Sequence, residues 1–286
     1  MASPLSDTDE IQVFTNARGQ KLRRWCLSAD SAKAICILLH GIGDHILAYE
    51  DVAKALLEKH NISLHGYDQV GHGKSEGVRV DIHDFQHYVD DAIQFVDIIK
   101  SEYPDMPVFV MGHSMGGLVL GQALLSKPDL CSGVIMYAAA VHANPQVVTP
   151  FKVTMAKLLS RVFPSFPVGG IGEDLLTRNK DELQRLKTDT LRYQGRMKAR
   201  WGHNTLKALV DFNERMSEIT IPIFIAHGDD DQICHIDGST KLEKTVSSKD
   251  KTFKVYEKCY HRLHTEPDGC SEKFINDVGE WISSRV

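Results

Sequence analysis

Short apolar runs rich in β-branched residues alternate along this chain with longer segments whose apolar positions recur every three or four residues. The first kind predicts strands and the second amphipathic helices, and their alternation is the pattern of βα units around a mostly parallel sheet. Strands are expected at Ala34 to Leu39, Ile62 to Tyr67, Val108 to Gly112, Gly133 to Ala138, Ile221 to His227 and Phe253 to Tyr256. Upstream, Ile11 to Thr15 and Leu22 to Leu27 flank Asn16-Ala17-Arg18-Gly19, which predicts an antiparallel hairpin at the sheet edge. Phe85, Val89, Ala92, Ile93, Val96 and Ile99 line one face of a helix with Asp84 as its cap and Pro104 beyond its end. Gly116 to Lys127 is apolar nearly all round, as suits a helix buried against the sheet centre. Phe274, Val278 and Ile282 mark a last helix over Glu272 to Arg285.

The rhythm breaks between about 142 and 219, where helical patterns are separated by Pro145, Pro150, Pro164, Pro167 and Gly169-Gly170. An insertion over the C-terminal edge of the sheet accounts for this. The expectation is therefore one α/β domain over residues 1–286, interrupted by a helical cap at about 142–201.

Composition narrows the field modestly. A net charge of -5 offers no overall attraction for nucleic acid or strongly anionic surfaces, so any membrane contact must be local. The six cysteines show no C-x-x-C spacing for zinc or redox chemistry, and free thiols are the default expectation. The first ten residues carry neither a basic start nor an apolar run, and no stretch approaches the roughly 18 apolar residues of a membrane span. A soluble, cytoplasmic protein is expected.

The chemistry concentrates at Gly112-His113-Ser114-Met115-Gly116-Gly117, which follows an apolar strand and opens an apolar helix. That is the context the G-x-S-x-G nucleophile elbow of an α/β-hydrolase fold requires, with Ser114 exposed at a sharp turn beside a helix N-terminus. A second oxyanion donor comes in this fold from the loop after the third strand, here His40-Gly41-Ile42-Gly43-Asp44-His45. The backbone N–H groups of Ile42 and Met115 are the expected pair. Read alone, His40-Gly41 also suits a turn that His40 buttresses.

Triad partners follow the nucleophile in the order acid, then histidine, which removes most of the fourteen histidines. His227 and His235 flank the candidate acids too closely, leaving His261 and His264 beyond the last strand. His261, on the short loop after that strand, is the better base, and His264 is expected in a supporting or surface position. Asp229, Asp230 and Asp231 all follow the strand ending at His227. Asp231 is chosen as the acid because the two residues after Gly228 are usually turn residues.

The sequence resembles the monoacylglycerol lipases from about residue 20 to its end. His40-Gly41-x-Gly43-x-His45, Gly66-Tyr67-Asp68-x-x-Gly71-His72-Gly73-x-Ser75-x-Gly77, the serine motif, Ala143-Asn144-Pro145, Asp231-x-Ile233-Cys234 and Tyr260-His261-x-Leu263-His264 match in order. The resemblance implies an α/β-hydrolase with a mostly parallel sheet flanked by helices, and Ser114, Asp231 and His261 as triad. It implies Ile42 and Met115 as oxyanion hole, and a cap over a tunnel for one acyl chain. It also implies cleavage of a monoacylglycerol to glycerol and fatty acid without metal or organic cofactor. Three departures bear on chain-length preference and inhibitor sensitivity: bulky Ile42, a cap without cysteine, and an acid loop made more negative by Asp229 and Asp230.

In the cap, Phe151, Met155, Leu158, Leu159 and Val162 share a helical face, with Lys152, Lys157 and Arg161 off it. Phe151, Met155, Leu158 and Leu159 are the candidate substrate contacts. The same helix suits peripheral membrane docking, or inward packing on the domain below. A lysophospholipase or carboxylesterase would share the triad, and a catalytically idle lipid-binding homologue would usually lack one of its members. A long cap disfavours a haloperoxidase, and an epoxide hydrolase would need an acid in place of Ser114.

Overall fold

The computed structural model describes residues 12–142, 157–170 and 172–286. Its centre is an 8-stranded sheet in the order β1-β2-β4-β3-β5-β6-β9-β10. The strands are β1 (Val13–Thr15), β2 (Lys21–Leu27), β3 (Ala34–Leu39), β4 (Ile62–Tyr67), β5 (Val108–His113), β6 (Gly133–Tyr137), β9 (Ile223–Gly228) and β10 (Lys251–Tyr256). From β4 to β10 every pairing is parallel, while β1 with β2 and β2 with β4 run antiparallel. The expected edge hairpin is present, closed around Asn16 to Gln20 with Gly19 at φ +78°.

The central strands are buried along their whole length and mostly apolar because helices cover both sheet faces. Alternate residues of β3 serve two separate cores. Ile35, Ile37 and Leu39 join the layer under α2 (Gln86–Glu102), α3 (Met115–Ser126) and α5 (Ala199–Arg215). Ala34, Cys36 and Leu38 join the layer under α1 (Glu50–His60) and α7 (Cys270–Ser283). β9 divides likewise, Ile223 and Ile225 to one side and Phe224 and Ala226 to the other. The expected cap of α2, Asp84, stands one residue before the N-cap position, which is Phe85, and the Asp84 carboxylate accepts from the Gln86 N–H at 3.0 Å.

From β3 the chain passes to β4 on one side and later returns to β5 on the other. The loops after β3 and β5 therefore diverge and leave a crevice at the strands' C-terminal ends, the usual ligand position in open α/β sheets. The segment between β6 and β9 contributes helical residues 157–162, a small ribbon of β7 (Pro167–Gly169) and β8 (Met197–Lys198), and α4 (Lys180–Thr188). The expected boundary near Trp201 falls just inside α5. The remaining helix, α6 (Asp237–Thr245), follows the loop after β9.

The expectation of free thiols is corrected for one pair. Cys259 and Cys270 are joined as a disulfide between the loop after β10 and the start of α7. Their separation of 11 residues gave no recognisable motif, and only the return of α7 across the sheet end brings them together.

Several histidines lie wholly within the fold. Burial lowers His40 and His65 to about 4 and His72 to about 3 from the ordinary value of 6.5. The unfolded chain thus takes up these protons near pH 6.5, while the folded chain refuses them until about pH 4. Their contribution to stability is complete above pH 6.5 and is lost as pH falls toward 4, at a cost on the order of 3 kcal/mol for each such group. The thermal midpoint is expected to drop steeply between pH 6.5 and 4. Calorimetry showing a constant midpoint across that range would contradict the buried, neutral state of these imidazoles.

Candidate active site

Ser114 occupies the turn between β5 and α3 with φ 53° and ψ -118°, a strained conformation for a residue with a side chain. The strain persists because the turn is held on every side. The Ser114 N–H donates to the Tyr137 carbonyl at 3.2 Å, and its own carbonyl accepts from Gly117 and Ala140, each at 3.0 Å. A side chain on Gly112 would meet the Gly116 carbonyl oxygen at 2.6 Å, and one on Gly116 would run into the Leu39 carbonyl, so strand and helix close this tightly only with glycine at both positions. Met115 opens α3 directly after Ser114.

The loop after β3 lies against the serine. A Cβ at Gly41 would sit 3.3 Å from the Ser114 Cβ and 3.2 Å from the His113 ring, which places Ile42 at the mouth of the same turn. His40 is the buttress of this loop. Its Nε2 accepts from the Gln69 N–H at 2.9 Å, so Nδ1 carries the proton and donates to the Gly41 carbonyl at 2.8 Å. Gln69 also donates through its side chain to the His40 carbonyl at 2.7 Å.

Asp231 and His261, separated by 30 residues, meet with Nδ1 of His261 2.8 Å from Oδ2 of Asp231. A carboxylate facing Nδ1 fixes the proton there and leaves Nε2 as the basic nitrogen. The other carboxylate oxygen, Oδ1, accepts from the backbone N–H groups of Ile233 at 2.8 Å and Cys234 at 3.0 Å. Burial opposes ionisation of Asp231. The neighbouring His261, with hydrogen bonds from His227 and His261, outweighs it and holds the acid below the usual carboxylate range. Asp229 and Asp230 are exposed, and Asp229 accepts from the Lys258 N–H in the turn, at 2.5 Å.

His227 is a partner that sequence reasoning set aside. Its Nε2 lies 2.6 Å from the Cys234 carbonyl and 3.2 Å from Oδ2 of Asp231, so Nε2 carries the proton. Nδ1 then accepts from the Ser239 hydroxyl at 2.7 Å. The available signal was its position four residues before Asp231, at the end of β9. His264, expected in a supporting or surface position, is buried, with Nδ1 3.1 Å from the Tyr137 hydroxyl.

The strained serine, the buried acid–imidazole pair and the glycine loop are the parts of a serine ester hydrolase, and comparison with known proteins agrees. Residues 30–268 match the hydrolase family described as serine aminopeptidase, S33. The monoglyceride lipase of Mus musculus is 36% identical over 97% of this chain and 91% of its own. The human (Homo sapiens) enzyme of that name is 34% identical over the same shares. The chain belongs to the monoglyceride lipase family of α/β-hydrolases. A solved monoacylglycerol lipase of Paleococcus ferrophilus superposes with a TM-score of 0.81 at 27% identity, covering 93% of this chain and 99% of that one. The mostly parallel sheet expected from the strand rhythm is present, and the α/β-hydrolase fold expected from the serine motif and the resemblance is thereby established, as is family membership.

The candidate substrate contacts fare unevenly. Phe151 and Met155 lie outside the described residues. Leu158 is 56% exposed and Leu159 is half-buried. Exposed apolar side chains continue from the end of the helix at Val162 to Phe163, Phe166 and Val168 beyond it, with Lys157 and Arg161 also exposed on the helix. The segment is also tied to the loop after β3. The Tyr193 N–H donates to the Gly43 carbonyl at 2.8 Å, and His45 Nε2 meets Asp189 Oδ2 at 2.8 Å. Among the described residues, no helix is long and apolar enough to cross a membrane.

Proposed function

We propose that this enzyme hydrolyses the acyl ester of monoacylglycerols to glycerol and fatty acid through an acyl-enzyme on Ser114. The observation that carries the reading is the Asp231–His261 pair at 2.8 Å behind a nucleophile elbow, in a chain whose relatives are named monoglyceride lipases. Ser114 Oγ attacks the ester carbonyl as His261 Nε2 takes its proton, and the N–H groups of Ile42 and Met115 receive the oxyanion. Collapse expels glycerol, which leaves with the proton from His261. Water, deprotonated by the same nitrogen, then releases the fatty acid and restores Ser114. Asp231 holds the imidazole tautomer throughout and steadies its charge.

The segment from about 142 to 201 acts as a cap in this reading, which the bonds of Tyr193 to Gly43 and of Asp189 to His45 support. A capped tunnel accommodates one acyl chain, with each desolvated CH₂ contributing about 0.8 kcal/mol. Monoacylglycerols are therefore expected to turn over far faster than triacylglycerols, whose further chains have no place to go. Product analysis on mono-, di- and triacylglycerols and lysophospholipids tests this. Comparable triacylglycerol rates would refute the tunnel, and a lysophospholipid preference would move the assignment to a lysophospholipase.

The exposed Leu158, Val162, Phe163 and Phe166, flanked by Lys157 and Arg161, suit docking on the membrane from which such a substrate is drawn. The double replacement Leu158→Ser and Phe163→Ser is expected to weaken liposome binding severalfold while turnover of a short water-soluble ester survives. Unchanged liposome binding would place the docking face elsewhere.

A further inference from the structure

Arg262 fills the one position that the Tyr260-His261-x-Leu263-His264 motif leaves open, and its side chain is almost wholly buried. A buried guanidinium needs carboxylate partners, and these come from two distant segments. Nη1 donates to Oδ2 of Asp44 at 2.5 Å, in the loop that carries Ile42. Nη2 donates to Oε1 of Glu182 at 3.2 Å, in α4 of the cap segment, and the Arg262 backbone N–H donates to the Leu176 carbonyl at 2.8 Å. The residue beside the base is thus bonded to both the oxyanion loop and the cap.

A hydrogen-bonded circuit then returns to His261. The Tyr49 hydroxyl proton lies between His113 Nδ1 at 2.8 Å and Asp44 Oδ2 at 3.2 Å. His113 Nε2 faces the His261 carbonyl at 3.3 Å and so must carry the proton, which leaves Nδ1 to accept from Tyr49. Arg262 determines which acceptor Tyr49 serves. With the guanidinium on Asp44, the carboxylate is satisfied and the hydroxyl proton goes to His113. Without it, a buried uncompensated carboxylate would claim that proton. His113 would lose its donor at Nδ1, and the tautomer that donates to the His261 backbone would no longer be enforced.

We propose that Arg262 is a positioning residue for the ester hydrolysis described above: by bonding to Asp44 it locks the His261 loop to the oxyanion loop and keeps His113 in the tautomer that supports the base. The proposal rests on the hydrolase reading of Ser114 and His261. A charge that merely neutralises Asp44 predicts something different, because removing both members of a buried pair restores stability.

Arg262→Met alone is expected to lower the thermal midpoint by on the order of 10 °C. Arg262→Met with Asp44→Asn should recover most of that loss. On a short soluble ester, its kcat should nevertheless stay roughly 10- to 100-fold low, because the bond that locks the His261 loop to the oxyanion loop is still missing, with KM within about threefold of wild type and fluorophosphonate labelling of Ser114 slowed in proportion. Arg262→Lys, which keeps the charge and cannot hold Asp44 and Glu182 in one planar fork, should keep its midpoint and lose kcat to a smaller degree. Wild-type kcat in the stable double variant would overturn the positioning role, and should that variant fail to fold, wild-type kcat in Arg262→Lys would do so. Wild-type protein with neither ester turnover nor Ser114 labelling would instead overturn the hydrolase reading, and this proposal with it.

Discussion

Replacing Ser114 with Ala is expected to lower ester turnover by on the order of a millionfold and to abolish covalent labelling by a fluorophosphonate, with the fold intact. The size of the effect follows from what is removed. With Ser114 as the nucleophile, Asp231 and His261 have nothing to activate once its oxygen is gone, so loss of the serine costs about as much as loss of the whole set. Stability should change little at this position. The β5–α3 turn is held by the Ser114 backbone and by the glycines on either side, and alanine adds no atom to it. The positive φ is as unfavourable for alanine as for serine. Intact-protein mass spectrometry after exposure to the probe provides the check, and undiminished labelling of the variant would place the nucleophile elsewhere.

Asp231→Asn is expected to reduce activity roughly a thousandfold or more, and the geometry gives the reason. Oδ1 of Asp231 accepts two backbone N–H groups, from Ile233 and Cys234. The amide oxygen of an asparagine must therefore take that place, and its NH₂ must occupy the position of Oδ2. There it faces Nδ1 of His261 and the Nε2–H of His227, both of which donate to the native carboxylate. His261 can accept from this NH₂ only by moving its proton to Nε2, the nitrogen that must be free to receive the proton of Ser114. Asp229→Asn and Asp230→Asn touch exposed turn groups and should cost less than about threefold, as surface changes usually do. Parallel measurement of kcat in the three variants decides the matter, and a larger loss at either turn residue would transfer the role of acid.

The chain's local pattern was sufficient for what local physics controls. β3 and β4 appear with the very bounds that the sequence pattern predicts, β3 because a strand buried on both faces is an unbroken apolar run that ends where His40 and Gly41 begin. The elbow was legible because a close strand-to-helix turn demands glycine at fixed offsets from Ser114. The family resemblance read from the ordered motifs stands for the same reason, as each motif is a short stretch with its own backbone requirement. Sequence also limited the acid to three adjacent carboxylates and the base to two histidines. Only the tertiary structure brought Asp231 inward while leaving Asp229 and Asp230 in solvent, and it placed His227 on the same carboxylate. The disulfide of Cys259 with Cys270, and Arg262 reaching Asp44 across 218 positions of the chain, were equally out of view. Periodicity and motif spacing report what a residue does to its own few neighbours along the chain. The partner of a buried charge or thiol is set by which loops the sheet order brings to one end, and that order is decided by packing over the whole domain.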